Sequence, residues 1–382
     1  MNERAPIAPP DAPHSPGNGA AISVSEGYCI NLRGRLDACD LCQRACHTAA
    51  ITLTRDEVTI DPAPCVGCGA CVPACPAGAI THKRFDPEAF SASAVTDRVA
   101  RIDCAQSETG GSAIPCHRML DARLMAALFA EGAARIEITG TENCLGCPSG
   151  DARPALAVAV RTLGSWFGER APQVVFAGAE TGTETGNAAE AKRATERRHL
   201  LRGAFRTLSA DPRPAPPATA PSFDDLLGTG ETGEITVARP VPYQQALALH
   251  RADLPFRKGG QVGATGRTIG EECSGCMVCA ELCPTGALGS DVAPGHRLVS
   301  FDPALCTNCT LCLKVCPMAV ISARALRGVA AATSGREILF ARVERTCTEC
   351  GAGFAAASGG AICPECEKDR EMDDEWLEIL SG

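Results

Sequence analysis

The sequence is poor in aromatic side chains and has no long apolar run. Phe, Trp and Tyr make up only 4% of the 382 residues, whereas Gly (38) and Pro (27) are plentiful. This composition excludes one large core packed around aromatic rings, so another interaction must help to hold the chain together. No stretch reaches the roughly 18 consecutive apolar residues of a membrane-spanning helix, and we expect no membrane span.

The first 20 residues also lack the apolar segment of a secretory signal peptide. They are rich in Pro and polar residues, which predicts a disordered tail over residues 1–26. We expect a cytoplasmic location, where cysteines stay reduced and often bind metals. The formal net charge of −9 disfavours nucleic acid and anionic membrane surfaces as partners, although peripheral association with a membrane stays open.

Cysteine, by contrast, is abundant: the chain contains 24, in four blocks that leave none over. The first block is Cys29, Cys39, Cys42, Cys46, Cys65, Cys68, Cys71 and Cys75. The second is Cys104, Cys116, Cys144 and Cys147. The third is Cys273, Cys276, Cys279, Cys283, Cys306, Cys309, Cys312 and Cys316. The last is Cys347, Cys350, Cys363 and Cys366.

The spacing C-x2-C-x2-C-x3-C-P occurs three times in complete form, beginning at Cys65, Cys273 and Cys306. With these motifs the chain resembles the bacterial two-[4Fe-4S] ferredoxins in two stretches. In that family the fourth cysteine of each motif binds the neighbouring cluster. The resemblance implies four [4Fe-4S] clusters, three of them with complete sets. These sets are Cys65, Cys68, Cys71 with Cys46; Cys273, Cys276, Cys279 with Cys316; and Cys306, Cys309, Cys312 with Cys283.

The remaining copy of the motif is incomplete. Cys39 and Cys42 are present, but Leu36 stands where the first cysteine is expected. Together with Cys75 they make a set that lacks one thiolate. Cys29 is the nearest unassigned cysteine, and the loop to it can close at small entropic cost, so we expect Cys29 as the fourth ligand. The alternative is a three-iron cluster with Cys29 free.

Two further interpretations concern these motifs. His47 occupies the position that proline holds in the complete motifs, directly after the fourth cysteine. We interpret it as a residue on the surface or next to a ligand, and not as a ligand itself. Zinc is disfavoured for the 16 cysteines of the first and third blocks, because tetrahedral zinc sites commonly use two separated pairs.

The second block lies in an α/β context. Residues 113–116 predict a strand end, residues 121–132 an amphipathic helix and residues 134–140 another strand. This arrangement resembles the [2Fe-2S] domain of the delta subunit of methyl-viologen-reducing hydrogenases. The resemblance implies an iron–sulfur cluster on the four cysteines of the second block.

Alternatives remain open for this set. The resembled family has a tighter group of cysteines at its start, whereas Cys104 stands alone. Zinc, or a redox dithiol at Cys144 and Cys147, would also suit the pattern. We interpret His117 as a neutral, non-ligating residue, because a second histidine near Cys147 for a Rieske-like set is missing.

The last block consists of two C-x2-C pairs, Cys347 with Cys350 and Cys363 with Cys366. Two such pairs can close a tetrahedron, and the segment resembles a zinc ribbon. Rubredoxin-type iron is the alternative. A structural role is expected, because four protein thiolates leave no open coordination position.

We therefore expect an α+β multidomain protein: two ferredoxin-like dicluster modules, a small α/β domain between them and a C-terminal zinc ribbon. The predicted divisions are a tail at 1–26, a dicluster module at 27–95, an α/β iron–sulfur domain at 96–177, a helix and Pro-rich linker at 178–232, a second dicluster module at 233–330, the ribbon at 335–368 and an acidic tail at 369–382.

The function that these patterns favour is electron transfer through several clusters. The resemblance implies a non-catalytic subunit or dedicated electron carrier of a larger redox complex, such as a hydrogenase or a formate dehydrogenase, with redox proteins as partners. Two other functions remain open: an iron–sulfur assembly or regulatory factor, and an enzyme that uses the middle site for substrate redox.

Overall fold

The computed structural model describes residues 21–107, 111–177, 243, 253–258, 261–293, 295–328, 332, 335–356, 360–364 and 366–372. The predicted helix and linker at 178–232 and most of the predicted acidic tail lie outside these residues. No helix in the described part of the chain is long and apolar enough to cross a membrane.

Short helices and strands alternate along the chain. The helices are α1 Ile30–Gly34, α2 Leu41–Ala45, α3 Cys71–Ala74, α4 Pro87–Ser93, α5 Ala122–Ala130, α6 Arg153–Phe167, α7 Val278–Glu281 and α8 Leu311–Val315. The first nine strands are β1 Ile22–Val24, β2 Ile51–Leu53, β3 Val58–Ile60, β4 Ile80–His82, β5 Val95–Thr96, β6 Val99–Cys104, β7 Ser112–Ile114, β8 Arg135–Ile138 and β9 Gln173–Phe176. The others are β10 Gln261–Ile269, β11 Leu288–Ala293, β12 His296–Phe301, β13 Ile321–Arg327, β14 Glu337–Thr346 and β15 Gly353–Ala356.

The N-terminal module, residues 21–94, consists of two antiparallel strand pairs and the cysteine-bearing helices α2 and α3, which pack together. Strand β1 pairs with β4, with Val24 opposite Ile80, and β2 pairs with β3. Buried Ile22 and Ile80 place the β1–β4 pair in the core. Strand β1 lies inside the segment 1–26 that was predicted as tail, so the module extends further toward the N-terminus than predicted.

The C-terminal module, residues 261–328, repeats this plan. Strand β10 pairs with β13, with Ile269 opposite Ile321, and β11 pairs with β12. Helices α7 and α8 carry cysteines and pack together as α2 and α3 do. The repeat of the cysteine motif is therefore also a repeat of the fold.

The middle region, residues 95–177, forms a sheet in which β6, β8 and β9 are parallel. Strand β7 pairs with β6 in parallel and β5 pairs with β6 in antiparallel fashion. Helix α5 confirms the predicted amphipathic helix, and its N-terminus is capped by Asp121, whose carboxylate accepts bonds from the backbone N–H groups of Arg123 and Leu124. Helices α5 and α6 pack together, and the buried side chains of α5 join the core of the sheet.

Residues after the undescribed linker return to the middle region. The Tyr243 hydroxyl donates to the carbonyl of Met119 at 3.0 Å. Phe256 packs on Phe167 with ring centroids 4.8 Å apart. The described part of 243–258 therefore belongs to the middle region's core, although it was predicted as part of the second dicluster module at 233–330.

The ribbon, residues 335–372, is continuous with the C-terminal module. Strand β14 pairs with β12 and with β15, so that β11, β12, β14 and β15 form one sheet. In the last described part of the chain, residues 366–372 are helical. The ribbon is thus held to the module by backbone hydrogen bonds rather than by a linker.

The two modules meet at an apolar contact that we call the joint. Ile30, Ala77 and Leu311 are buried together there, with Leu311 from the C-terminal module and the others from the N-terminal one. Around them, the Arg33 guanidinium donates to the carbonyls of Leu282 at 3.1 Å and Glu281 at 2.7 Å. The joint thus combines apolar burial with charge-assisted hydrogen bonds.

We expect Leu311→Ala to destabilise the joint by about 2–5 kcal/mol, the cost of truncating a buried leucine. Leu145→Ala is the control: like Leu311, Leu145 is adjacent in sequence to a cysteine of a predicted set, but it is 74% exposed, so its truncation should cost about 0.5 kcal/mol or less. Thermal unfolding of the metal-loaded protein measures both. Equal losses of stability in the two variants would contradict this account of the joint.

Candidate metal centres

The first set is Cys29, Cys39, Cys42 and Cys75. All four line one cavity whose other walls are mainly apolar and include Ile30. Cys29 ends a turn of 3-10 helix, Glu26–Tyr28, and immediately precedes α1. The structure therefore brings the displaced cysteine to the three cysteines of the incomplete motif.

Asn31 closes the loop between Cys29 and Cys39. Its side-chain oxygen accepts hydrogen bonds from the backbone N–H groups of Ala38 at 3.1 Å and Cys39 at 2.8 Å. Its amide nitrogen donates to the carbonyl of Cys39 at 3.0 Å. Because Asn31 is buried, these bonds are shielded from competition with water. Sequence reasoning missed this residue, which it read as part of a polar loop.

The second set is Cys46, Cys65, Cys68 and Cys71, and it lines a separate cavity to which Ile22 and Ile51 also contribute. The backbone N–H of Ala50 donates to the Cys46 sulfur at 3.2 Å. His47 is exposed and does not line the cavity, in agreement with its interpretation as a surface residue.

The C-terminal module brings together the other two predicted sets. In the third set, Cys273 interacts electrostatically with Cys276 and Cys316. In the fourth, Cys309 interacts with Cys283, Cys306 and Cys312. The fourth cysteine of each motif thus lies beside the first three of the other, which is the crossed arrangement that the resemblance implied.

The same turn follows the last cysteine of each motif. Its third residue is Ala49, Gly78, Gly286 or Ala319, and all four have a left-handed backbone. The turn aims a following N–H at the sulfur: Ala79 donates to Cys75 at 3.3 Å and Leu288 to Cys283 at 3.4 Å. Such bonds stabilise the thiolate form that a metal needs.

Burial, however, opposes ionisation of these thiols. It raises the pKa of Cys42 to about 12, with further contributions from Cys75 and Cys39. Burial likewise raises the pKa of Cys279 to about 12. These groups therefore become thiolates only beside a strong positive charge, and a metal that coordinates a thiol supplies it. The donor sets fit iron–sulfur clusters in number and chemistry.

One arginine belongs to this environment. Arg267 of β10 is fully buried, and its guanidinium lies beside the sulfurs of Cys306, Cys312 and Cys309. Burial lowers the pKa of Arg267, but these sulfurs raise it further, so that the net pKa lies above its ordinary value. Sequence reasoning missed Arg267 as well, because an arginine in a strand is usually a surface residue.

The middle set also comes together. Cys104 interacts electrostatically with Cys144 and Cys147, and Cys116 with Cys104 and Cys147. Residue His117 is fully buried beside them, with its Nδ1 atom 3.9 Å from the Cys144 sulfur. Burial lowers the pKa of His117, which favours the neutral imidazole. Donor atoms of Asp103, Cys104 and His117 lie within 4.8 Å of one another, so a mixed set of candidate ligands is an alternative to the four cysteines at this corner.

The ribbon set has different spacing. The sulfurs of Cys347, Cys350, Cys363 and Cys366 all lie within 4.8 Å of one another. Cys350 and Cys363 are 3.7 Å apart, close to the roughly 3.8 Å expected between thiolates bound to zinc at about 2.3 Å. Gly351 (φ 70°) makes the turn of the first pair. Backbone N–H groups of Cys350, Cys363 and Glu349 lower the pKa of Cys347 to about 6.

This spacing separates the ribbon from the other sets. Among the described residues, which include all 24 cysteines, the ribbon is the one group of three or more cysteines whose sulfurs lie this close together. A cluster spaces its cysteines across several metal and sulfide atoms, whereas a single ion draws four sulfurs together. The ribbon geometry therefore fits one metal ion.

Comparison with known proteins agrees with this geometry. The family model of the 4Fe-4S dicluster domain matches residues 37–79 and 272–320. The first match begins after Cys29, whose position differs from the family pattern. The chain therefore contains ferredoxin-type dicluster domains in two regions.

Two curated relatives match a short stretch. "Ferredoxin 7Fe" of Hydrogenibacillus schlegelii and "Ferredoxin" of Alicyclobacillus acidocaldarius subsp. acidocaldarius are each 43% identical over 47 residues, 12% of this chain. The chain spans 60% of the length of these relatives. These similarities agree with the two dicluster domains and cover only a small part of the chain.

We expect Cys29→Ala to convert the cluster on the first set to a three-iron form or to lose it, while the second set keeps its cluster. Asn31→Ala should give the same change in part of the molecules, because the loop that carries Cys29 is no longer fixed to Cys39. Iron analysis and EPR of the oxidised protein measure the change. Iron content and spectra like those of wild type in Cys29→Ala would show that Cys29 is not a ligand.

For the ribbon, Cys347→Ser should abolish binding of about one zinc ion and loosen residues 335–372, since metal binding supplies folding free energy to such a site. The clusters should remain, because the ribbon shares no cysteine with the predicted sets. Zinc analysis and limited proteolysis test this, with Ser93→Ala, a helix residue of the N-terminal module, as control. Retention of zinc by Cys347→Ser would refute the assignment.

Proposed function

We propose that this protein conducts electrons along one continuous line of five cluster sites, as a subunit or dedicated carrier of a larger redox complex. Bound clusters would accept and release single electrons without bond cleavage in a substrate. The protein's part is to place the sites in order and to exclude water between them. The joint between the modules is the observation that carries this proposal.

The line begins at the middle set. Cys116 of that set and Cys68 of the second set interact electrostatically. Arg118 fixes the neighbouring backbones, because it donates to the carbonyls of Ser149 at 2.9 Å and Ala45 at 2.8 Å. Two sets that lie in different regions of the chain are therefore adjacent.

Contacts of the same kind occur within each module. Cys71 of the second set interacts with Cys42 of the first. In the C-terminal module, Cys279 of the third set interacts with Cys312 of the fourth. A dicluster module thus places its two cysteine sets next to each other.

The joint connects the two modules. Cys39 and Cys75 of the first set and Cys309 of the fourth set pack around the buried side chains of Ile30 and Leu311. The order of sites that follows is middle, second, first, fourth and third. Without this contact the protein would hold a group of three sites (middle, second and first) and a separate pair (fourth and third).

The class of partner comes from the resemblance alone. Leu145, between Cys144 and Cys147, is 74% exposed, but a single exposed leucine is ordinary on a protein surface. A hydrogenase or formate dehydrogenase remains the class of complex that the resemblance implies.

The number of irons tests the proposal first. Anaerobically reconstituted protein should carry about 16 irons in cubanes, further iron if the middle set holds a cluster, and about one zinc. One relative has a name that counts seven irons, so a three-iron cluster on the first set is a defined alternative outcome. A colourless protein with zinc in most sites would contradict the proposal.

Magnetic interaction tests the continuity of the line. In fully reduced protein, EPR signals of the first and fourth clusters should be broadened by each other across the joint. Cys306→Ala, which removes a ligand of the fourth set, should narrow the signal of the first cluster. Cys347→Ser is the control and should leave it unchanged. A wild-type spectrum equal to the sum of isolated clusters would contradict a continuous line.

A further inference from the structure

Arg267 occupies an unusual position for an arginine. The side chain is only 1% exposed. Its Nη2 atom donates to the side-chain oxygen of Asn308 at 2.9 Å, and its Nη1 atom donates to the carbonyl of Gly266 at 3.0 Å. Nε is buried and has no hydrogen-bond partner among the described residues. Both partners are neutral, so these bonds do not balance the positive charge.

The compensating charge comes from the fourth set. The guanidinium interacts electrostatically with the sulfurs of Cys306, Cys309 and Cys312. The largest electrostatic contributions to the pKa of Arg267 come from these sulfurs, and none of those contributions comes from a carboxylate. Because a buried charge needs a partner of opposite sign, the arginine and a cluster of formal charge about −2 on four thiolates suit each other.

The N-terminal module provides an internal comparison. Residue Ile321 corresponds to Ile80, since each lies five positions after the last cysteine of its motif. Two residues further, Ala323 pairs with Arg267 on β10, and His82 pairs with Ile22 on β1. Ile22 thus takes the place of Arg267, and it lines the cavity of the second set. Equivalent sites of the two modules therefore face an apolar side chain in one case and a buried cation in the other.

Another arginine approaches the second set, but in a different manner. Arg118 interacts with Cys68, yet it is only partly buried and both of its terminal nitrogens donate to carbonyls of the chain. Solvent screens such a charge more than it screens the fully buried guanidinium of Arg267. Arg118 therefore does not remove the difference between the second and fourth sets in the buried positive charge beside them.

We propose that Arg267 sets the reduction potential of the cluster on the fourth set, by placing a buried, permanent positive charge beside the sulfurs of Cys306, Cys309 and Cys312. This rests on the proposed function, because it assumes a cluster at that set. Reduction adds one electron from a neighbouring cluster, which is oxidised in turn, and no proton or bond is transferred. The more negative product is stabilised by the cation, so Arg267 raises the potential and makes the fourth site a place where electrons collect in the line.

The test is a potentiometric EPR titration of the reconstituted full-length protein. Arg267→Ile places at this position the isoleucine that the N-terminal module has there, Ile22. At a fixed potential it should lower the reduced-to-oxidised ratio of one cluster about tenfold, which corresponds to a reduction potential lower by about 59 mV for a one-electron couple. The affected signal should be the one that Cys309→Ser alters. Arg267→Lys should restore most of the potential, because it keeps the charge. Arg324→Gln is the control: this arginine lies on the paired strand β13, is partly exposed and pairs with Glu337 at 2.7 Å.

The outcomes separate this proposal from the proposed function. Normal iron content with an unchanged potential in Arg267→Ile would overturn the role of Arg267 alone, whereas absence of cluster iron from wild type would overturn the proposed function. If Arg267→Ile does not bind the cluster of the fourth set, the reduction potential is measured in Arg267→Gln instead. If both neutral variants lose the cluster, Asn308→Asp, which places a carboxylate against the guanidinium, should still lower the potential of that cluster, and an unchanged potential in Asn308→Asp would overturn the proposal. Loss in Arg267→Lys as well would assign Arg267 a purely structural role and overturn it.

Discussion

The structure depends on thiols that the protein buries and that a metal ionises when it binds. Burial raises the pKa of Cys42, Cys116 and Cys309 to about 12, so these three thiols stay neutral until a metal binds beside them. Few aromatic residues are available to replace such sites as centres of packing. Metal binding and folding of the two modules are therefore coupled, as they are in small metal-containing domains.

The two modules share one fold, so a residue that differs between them can be compared at equivalent positions. Turns after the motifs are alike, and so are the strand pairs β1–β4 and β10–β13. Two differences stand out. In the first set, Cys29 replaces the first cysteine of the motif and Asn31 holds its loop, and in the fourth set Arg267 changes the charge beside the sulfurs. Both modules keep the same turns and strand pairs despite these differences. The repeat thus allows single sites to differ without rebuilding the module.

Much of the arrangement could be predicted from local spacing. The crossed sets follow from the motif, and α5 follows from the apolar periodicity of residues 121–132. What could not be predicted depends on contacts distant in sequence. No local sequence pattern predicts that β14 pairs with β12, or that Phe256 packs on Phe167 of the middle region. A single polar residue in a loop, such as Asn31, also carries no signal until its buried partners are known.

The shared sheet of the ribbon and the C-terminal module has a consequence for a cell short of one metal. Strand β14 places Phe340 opposite Val299, and Phe340 and Ala355 both lie against Gly275, in the loop between Cys273 and Cys276. Loss of the metal ion from the ribbon set would leave this hairpin without its anchor, and the packing over the third set would relax even where iron is plentiful. The ion held by one set would thereby govern how well a different set is sheltered from water.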